Sequence, residues 1–144
     1  MEEAVKVYAE PGCELYKKID TDAGFDLRAK EGKVIKPGQV KKFDTGIRVE
    51  MPLNIKGKVT PRSGLSAKHG LVAVEGTIDP EFRGEIGVIL INEGYQSYVV
   101  EQGDRIAQLE FEYIPQVTIQ YVNSPEELSD TTRGEGGFGH TGVT

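Results

Sequence analysis

The sequence predicts an all-β domain, a jelly-roll-like sandwich or barrel, with one short helical turn and a flexible C-terminal tail. Short β-branched and apolar runs recur at near-regular spacing, punctuated by Gly and Pro, as in sandwiches and barrels. No stretch holds a 3.6-residue apolar period over the ~10–12 residues a core helix needs. From Ser129 onward glycine replaces the large apolar residues, so that segment cannot offset its own ordering entropy. Residues 1–128 are therefore expected to form the β domain, and residues 129–144 a glycine-rich tail.

Val5 to Ala9 reads as the first strand and Pro11-Gly12 as a turn. Asp22 to Ala29 is a compact unit of small, apolar and acidic residues. Lys33 to Lys36, Gln39 to Phe43 and Gly46 to Glu50 follow as short strands, separated by Pro37-Gly38 and Asp44-Thr45-Gly46. Ile55 to Thr60 ends at Pro61. Ser63 to His69 carries the helical turn, which Gly70 stops as a C-cap residue. Val72 to Val74, Thr77-Ile78, Ile86 to Ile91, Ser97 to Val100 and Ile106 to Ile114 continue in β fashion. Val117 to Val122 is a further strand candidate, and Ser124 to Leu128 fits one helical turn.

With 144 residues the chain is one domain, large enough for its own core. Its single cysteine, Cys13, forms no intramolecular disulfide, which fits a reducing cytoplasm. No run reaches the ~20 apolar residues of a membrane span, and the N-terminus lacks a basic-then-apolar signal pattern. A formal charge of −6 disfavours non-specific nucleic-acid binding. A small anionic substrate remains compatible, because local cations or a metal ion reverse the field inside a cleft.

The central stretch runs from Gly76 to Asn92. Asp79 ends a short apolar pair, Pro80 and Gly84 bracket a turn, and Ile86 to Ile91 is strongly β-branched. Asp79 reads either as a turn residue bonding its own backbone or as a general base beside a planar ligand gripped near Gly87. Arg62, Ser63 and Gly64 open the helical turn, where free N–H groups favour an anion; an ordinary helix start with a surface arginine is the plainer alternative. Asp104 and Arg105 read as a turn cap and a structural ion pair. Gln108 either donates to a phosphate or faces solvent, and Asp26 either holds a metal-bound water or braces a strand. Arg133 and Phe138, set among glycines, suit a flap that orders over a ligand; a frayed terminus is the alternative.

Five segments, in order, resemble the trimeric dUTPase family (deoxyuridine 5′-triphosphate nucleotidohydrolase). They are Ala23-Gly-Phe-Asp-Leu27, Pro61-Arg-Ser-Gly-Leu65, Gly76-Thr-Ile-Asp79 with Arg83-Gly84 and Gly87-Val88, Gly103-Asp-Arg-Ile-Ala-Gln108, and Arg133-Gly-Glu-Gly-Gly-Phe-Gly139. The resemblance implies a dUTPase-like β-clip jelly roll assembling as a homotrimer. Each site then takes the second and fourth motifs from one subunit, the hairpin from another and the tail from the third. It implies hydrolysis of dUTP to dUMP and pyrophosphate, with Asp79 polarising a water for attack on the α-phosphorus. Mg²⁺ is the implied cofactor, held by the substrate's phosphates, with Asp26 touching it through water.

The same resemblance assigns phosphate contacts to Arg62, Ser63, Gly64, Gln108 and Arg133. It places the nucleoside against Gly76, Thr77, Ile78, Phe82 and Gly87, and the closing tail at Phe138, Gly139 and His140. Backbone groups around Gly87 would match uracil's acceptor–donor–acceptor edge and not cytosine's. Phe82 stands where the family usually has Tyr; the ring keeps the shape that rejects a 2′-hydroxyl. His140 stands where Ser is usual, so an imidazole replaces a hydroxyl at the terminal phosphate. Related alternatives are a dCTP deaminase or bifunctional deaminase–dUTPase of the same fold. From another class come a dUTPase-fold regulator binding a protein partner, and a structural jelly roll.

Overall fold

A computed structural model describes residues 2–139 and 141 of the chain. Eleven strands are found among them: β1 (Lys6–Ala9), β2 (Phe25–Arg28), β3 (Lys33–Ile35), β4 (Val40–Asp44), β5 (Ile47–Glu50), β6 (Ile55–Thr60), β7 (Leu71–Ala73), β8 (Gly76–Ile78), β9 (Gly87–Asn92), β10 (Tyr98–Val100) and β11 (Arg105–Tyr113). One helix, α1 (Ser63–His69), lies between β6 and β7, and Pro125–Glu127 forms a single 3-10 turn. All pairings are antiparallel. β2-β11-β6-β8 and β4-β9-β7 are the larger sheets, and β1-β5 and β3-β10 are two-stranded ribbons.

Period-two alternation decides which side chains enter the core. In β6, Ile55, Gly57 and Val59 turn inward while Lys56, Lys58 and Thr60 turn outward. In β9, Val88, Leu90 and Asn92 turn inward. The fully buried set includes Leu27, Ile35, Phe43, Ile47, Leu71, Val88, Leu90, Ile106 and Leu109, one cluster shared by both larger sheets. Asn92 is a polar residue inside this core, and its bonds are met. Its amide donates to Ile35 O at 2.8 Å and Gln96 O at 2.9 Å, and its oxygen accepts from Gly94 N–H at 2.9 Å.

The outward face of β4-β9-β7 carries an apolar row at one end, with Lys42 opposite Ile89 and Asp44 opposite Gly87 at the other. Val40, Ile91 and Val72 line up across it, with Ile89 and Val74 beside them, and Val40, Ile89 and Val74 are exposed. α1 stops at Gly70, which takes the left-handed conformation (φ 69°). A Cβ there would also lie 2.7 Å from Gly94 N, so glycine is needed twice over.

The structure differs from the sequence expectation at Val117–Val122, where no strand forms among the described residues. Val117, Ile119 and Tyr121 are exposed, and among the described residues no strand pairs with this segment to supply a ladder. Other boundaries shift by a residue or so, because pairing partners and not propensity set strand ends.

Candidate active site

Strand β11 gathers one half of the site. Gln108 pairs with Asp26 of β2 on one side and with Thr60 of β6 on the other, so the three form one row across the sheet. Pro61 and Arg62 follow Thr60 directly, which carries the Arg62-Ser63-Gly64 turn to the end of that row. Gly24 lies over Gln108; a Cβ there would come within 3.2 Å of Gln108 Cβ and of Glu110 Cγ. The first and fourth motifs are thus fitted to each other by the absence of one methyl group.

Asp26 is 8 % exposed and sits between two guanidinium groups. Arg62 Nε lies 3.3 Å from Oδ1 and Arg105 Nη1 3.5 Å from Oδ2. Arg62 Nη1 also donates to Arg105 O at 3.0 Å, and Arg28 Nη1 to Gly103 O at 3.0 Å. The Tyr16 ring has both Arg28 and Arg105 5.6 Å from its centroid. Arg28, Arg62 and Arg105 line a cavity of about 360 Å³ with Tyr98 and Asp104. Three fixed cations against two carboxylates leave this cavity positive on an acidic protein, which suits an anion. Ser63 and Gly64 are exposed at the start of α1, whose N-cap, Arg62, is extended; among the described residues no side chain caps it.

The hairpin builds a second cavity, of about 320 Å³. It is lined by Gly76, Thr77, Ile78, Asp79, Phe82 and Gly87, together with Lys42, Val59, Glu85, Ile86 and Ile89. The turn between its arms is closed by Phe82 N–H donating to Asp79 O at 3.0 Å and Arg83 Nη1 donating to Pro80 O at 2.6 Å. Phe82 folds back over Gly84, where a Cβ would lie 2.5 Å from the ring's Cζ. Asp79 is exposed at the mouth. Lys42 Cε lies 2.7 Å from where a Cβ at Gly87 would stand, so a lysine stem takes up the space glycine leaves.

Among the described residues the two cavities share no lining residue. Gln108 is opposite Thr60, and Ile78 is opposite Gly57, so Asp79 follows on opposite Lys56. The offset is about 13 Å along β6 and about 10 Å across the strands. The structure therefore brings Asp26, Arg62, Gln108 and the start of α1 together, and Gly76–Asp79 with Phe82 and Gly87, but keeps the two groups apart in one chain.

Arg133, Phe138 and Gly139 are exposed and line neither cavity; Arg133 Nε donates instead to Gly136 O. His140 lies outside the described residues. Among the described residues there is no group of three or more His, Cys, Asp or Glu able to hold a metal ion. Sequence reasoning missed Arg28, Lys42 and Glu85 as lining residues. Arg28 had a local signal, two positions after Asp26 on the same strand. Glu85 had one too, since it stands in the hairpin itself, two residues before Gly87. Lys42 had none, since only the β4–β9 register brings it to the hairpin.

A jelly-roll β domain with a cationic cradle and a separate hairpin pocket is the architecture of a nucleotide-binding β-clip protein. The dUTPase family model matches residues 14–142. The chain is 49 % identical over 126 residues to the deoxyuridine 5′-triphosphate nucleotidohydrolase of Crocosphaera subtropica, covering 86 % of this chain and 87 % of that protein. It is 48 % identical over 126 residues to the same enzyme of Alkaliphilus metalliredigens, covering 86 % and 85 %. A dUTPase of Staphylococcus bacteriophage 80alpha, a point mutant solved with dUpNHpp, superposes with a TM-score of 0.88 at 28 % identity, over 97 % of this chain and 99 % of that one. The chain belongs to the dUTPase family, and it is an enzyme that hydrolyses dUTP.

Proposed function

We propose that the chain cuts dUTP between its α- and β-phosphorus atoms at a site shared between copies in a homotrimer, with Asp79 as general base. The separation of Asp79 from the Arg62–Gln108 cradle carries this reading. A general base must come within about 2.6–3.2 Å of the water it deprotonates, so one chain cannot offer both halves to one phosphorus atom. The outward apolar row of Val40, Ile91, Val72, Ile89 and Val74 supports burial against a second copy.

Asp79 takes a proton from water as its oxygen bonds to the α-phosphorus; the α–β bridging P–O bond breaks, and pyrophosphate leaves with that bridging oxygen. Arg62, Gln108 and the Ser63 and Gly64 amides orient the phosphates in line, with Arg133 adding charge from the tail. Gly76, Thr77, Ile78 and Gly87 receive uracil, and Phe82 packs on the deoxyribose. Phe138 and Gly139 close the site and exclude bulk water. His140 contacts the terminal phosphate in this reading, and a matching pH dependence of KM in wild type and His140→Ser at pH 6 and 8 removes that role.

The residues present fit Mg²⁺ carried by the substrate, which commonly uses one or two carboxylates, retained waters and phosphate oxygens. Asp26 is the one carboxylate of the cradle's row, and with two arginines on it a contact through water is what it offers. The ion supplies charge neutralisation on the triphosphate when bound. We also read residues 129–144 as the closing tail and the cytoplasm as the setting.

Subunit mixing tests the shared site. Asp79→Asn and Arg62→Ala are each expected to be nearly inactive. Refolded together at equal amounts, they should recover pyrophosphate release at about a quarter of the wild-type level, since a site needs an intact hairpin from one copy and an intact cradle from another. No recovery would put hairpin and cradle on one copy and sink the proposal.

A further inference from the structure

Thr45 lies outside the five motifs and lines neither cavity. It is fully buried, and its hydroxyl uses both of its bonding functions. It accepts from Ile47 N–H at 3.3 Å and donates to Ile86 O at 2.7 Å. Ile86 N–H donates to Ile47 O at 2.8 Å, and Gly46 N–H to Glu85 Oε2 at 3.4 Å. Residues 45–47 therefore grip residues 85 and 86 immediately before Gly87.

The Ile86 carbonyl and the Gly87 amide belong to one peptide unit. A trans peptide is planar, so its C=O and N–H point in opposite directions, and none of the described bonds is cis. Fixing the carbonyl on Thr45 fixes the amide away from it. The sheet register agrees. Asn92 N–H donates to Gln39 O at 3.1 Å, which makes that pair a bonded rung. Alternating along β4–β9 then leaves Asp44↔Gly87 a wide pair, with the N–H and C=O of Gly87 turned away from β4. On that far side β7 has already ended at Ala73, and the hairpin cavity opens.

We propose that Thr45 is a positioning residue for base selection: its buried hydroxyl, through the Ile86 carbonyl, aims the Gly87 amide into the hairpin pocket. This rests on reading that pocket as the uracil site. A threonine suits the role better than a serine, because its branched Cβ restricts χ1 and holds the hydroxyl on its acceptor. A mistaken base is rejected only if the donor it meets cannot turn aside, since an adaptable peptide would re-pair with cytosine.

The test uses the full-length enzyme with Thr45→Val, which keeps the shape and removes the hydroxyl, and with Thr45→Ser. Thr45→Val should raise KM for dUTP about tenfold or more with kcat little changed, and lower the dUTP-to-dCTP preference by a similar factor. Thr45→Ser should fall between Thr45→Val and wild type. A folded Thr45→Val with wild-type KM and preference would overturn the proposal. Should Thr45→Val not fold, a Thr45→Ser indistinguishable from wild type in both quantities overturns it instead. The ¹⁵N–¹H signal of Gly87 in wild type, titrated with dUMP, separates the two readings. A signal that does not move removes the uracil site itself, and Thr45's role with it. One that moves while Thr45→Val keeps its preference removes only Thr45.

Discussion

Arg62 Nε stands 3.3 Å from the Asp26 carboxylate, which joins the helix-opening turn to strand β2. Asp26 is nearly buried and also faces Arg105 at 3.5 Å, so removing it leaves two guanidinium groups beside each other without their shared counter-charge. Asp26→Ala should cost about 1–3 kcal/mol of stability, less than a deeply buried pair because both arginines keep contact with water. A shift of the urea midpoint at unchanged m-value measures it, and an unshifted midpoint would make the pair energetically idle.

Asp79 lies exposed at the hairpin mouth, so replacing it should disturb chemistry and not folding. Asp79→Asn is expected to lower kcat by about 10²–10⁴-fold, the usual scale of general-base catalysis, with dUpNHpp affinity little changed. Single-turnover pyrophosphate release, together with calorimetric binding of dUpNHpp, checks both halves. An equal loss of binding would recast Asp79 as a binding residue.

The tail from Thr131 to Gly139 is exposed almost throughout and contributes nothing to the buried core. Truncation after Asp130 should therefore leave the thermal midpoint in place while kcat/KM for dUTP falls by about 10²-fold, as expected for losing a closing aromatic and an arginine. Retained activity would show that residues beyond 130 take no part in turnover.

Gly24 and Gln108 are packed so tightly that a single added methyl must move one of them. Gly24→Ala is expected to destabilise the protein by about 1–2 kcal/mol and to raise KM for dUTP as Gln108 is displaced. Stability and KM measured on the same preparation test the coupling. A stability loss with unchanged KM would take Gln108 out of substrate binding.

Cys13 packs against Gly46, which has a positive φ of 70° and where a Cβ would lie 2.6 Å from its Sγ. Burial, followed by the charge of Glu10, pushes the thiol above its ordinary value of 9.0. An acid whose folded value exceeds its unfolded one adds stability that is complete below the unfolded value and is lost as pH rises toward the folded one. The protein should therefore weaken as pH rises above 9.0, and Cys13→Ala should weaken less over the same rise. Urea midpoints at pH 8 and pH 10 for both proteins give the comparison; parallel losses would exclude the thiol as the cause.

Much of the fold was legible in the chain. The alternation Ile55-Lys56-Gly57-Lys58-Val59-Thr60 fixes a strand and its inward face, and Gly70 marks the end of α1, because both follow from local sterics and period. Five short motifs were enough to identify the family, and they hold Asp26, Arg62, Gln108 and the Gly76–Asp79 arm that the structure gathers in two groups. Register was not legible. That Gln108 stands between Asp26 and Thr60, that Lys42 lies over Gly87, and that Thr45 holds Ile86 are decided by pairings between distant strands, whose alternatives differ by one-residue slips that leave local propensity unchanged. The separation of Asp79 from the Arg62 cradle belongs to the same level, since β6 sets the two rows four positions apart, at Thr60 and Lys56. The sequence by itself determined which chemistry was present, because side-chain identity is local. Only the tertiary structure decided where that chemistry meets, because proximity across a sheet is set by the packing of the whole core.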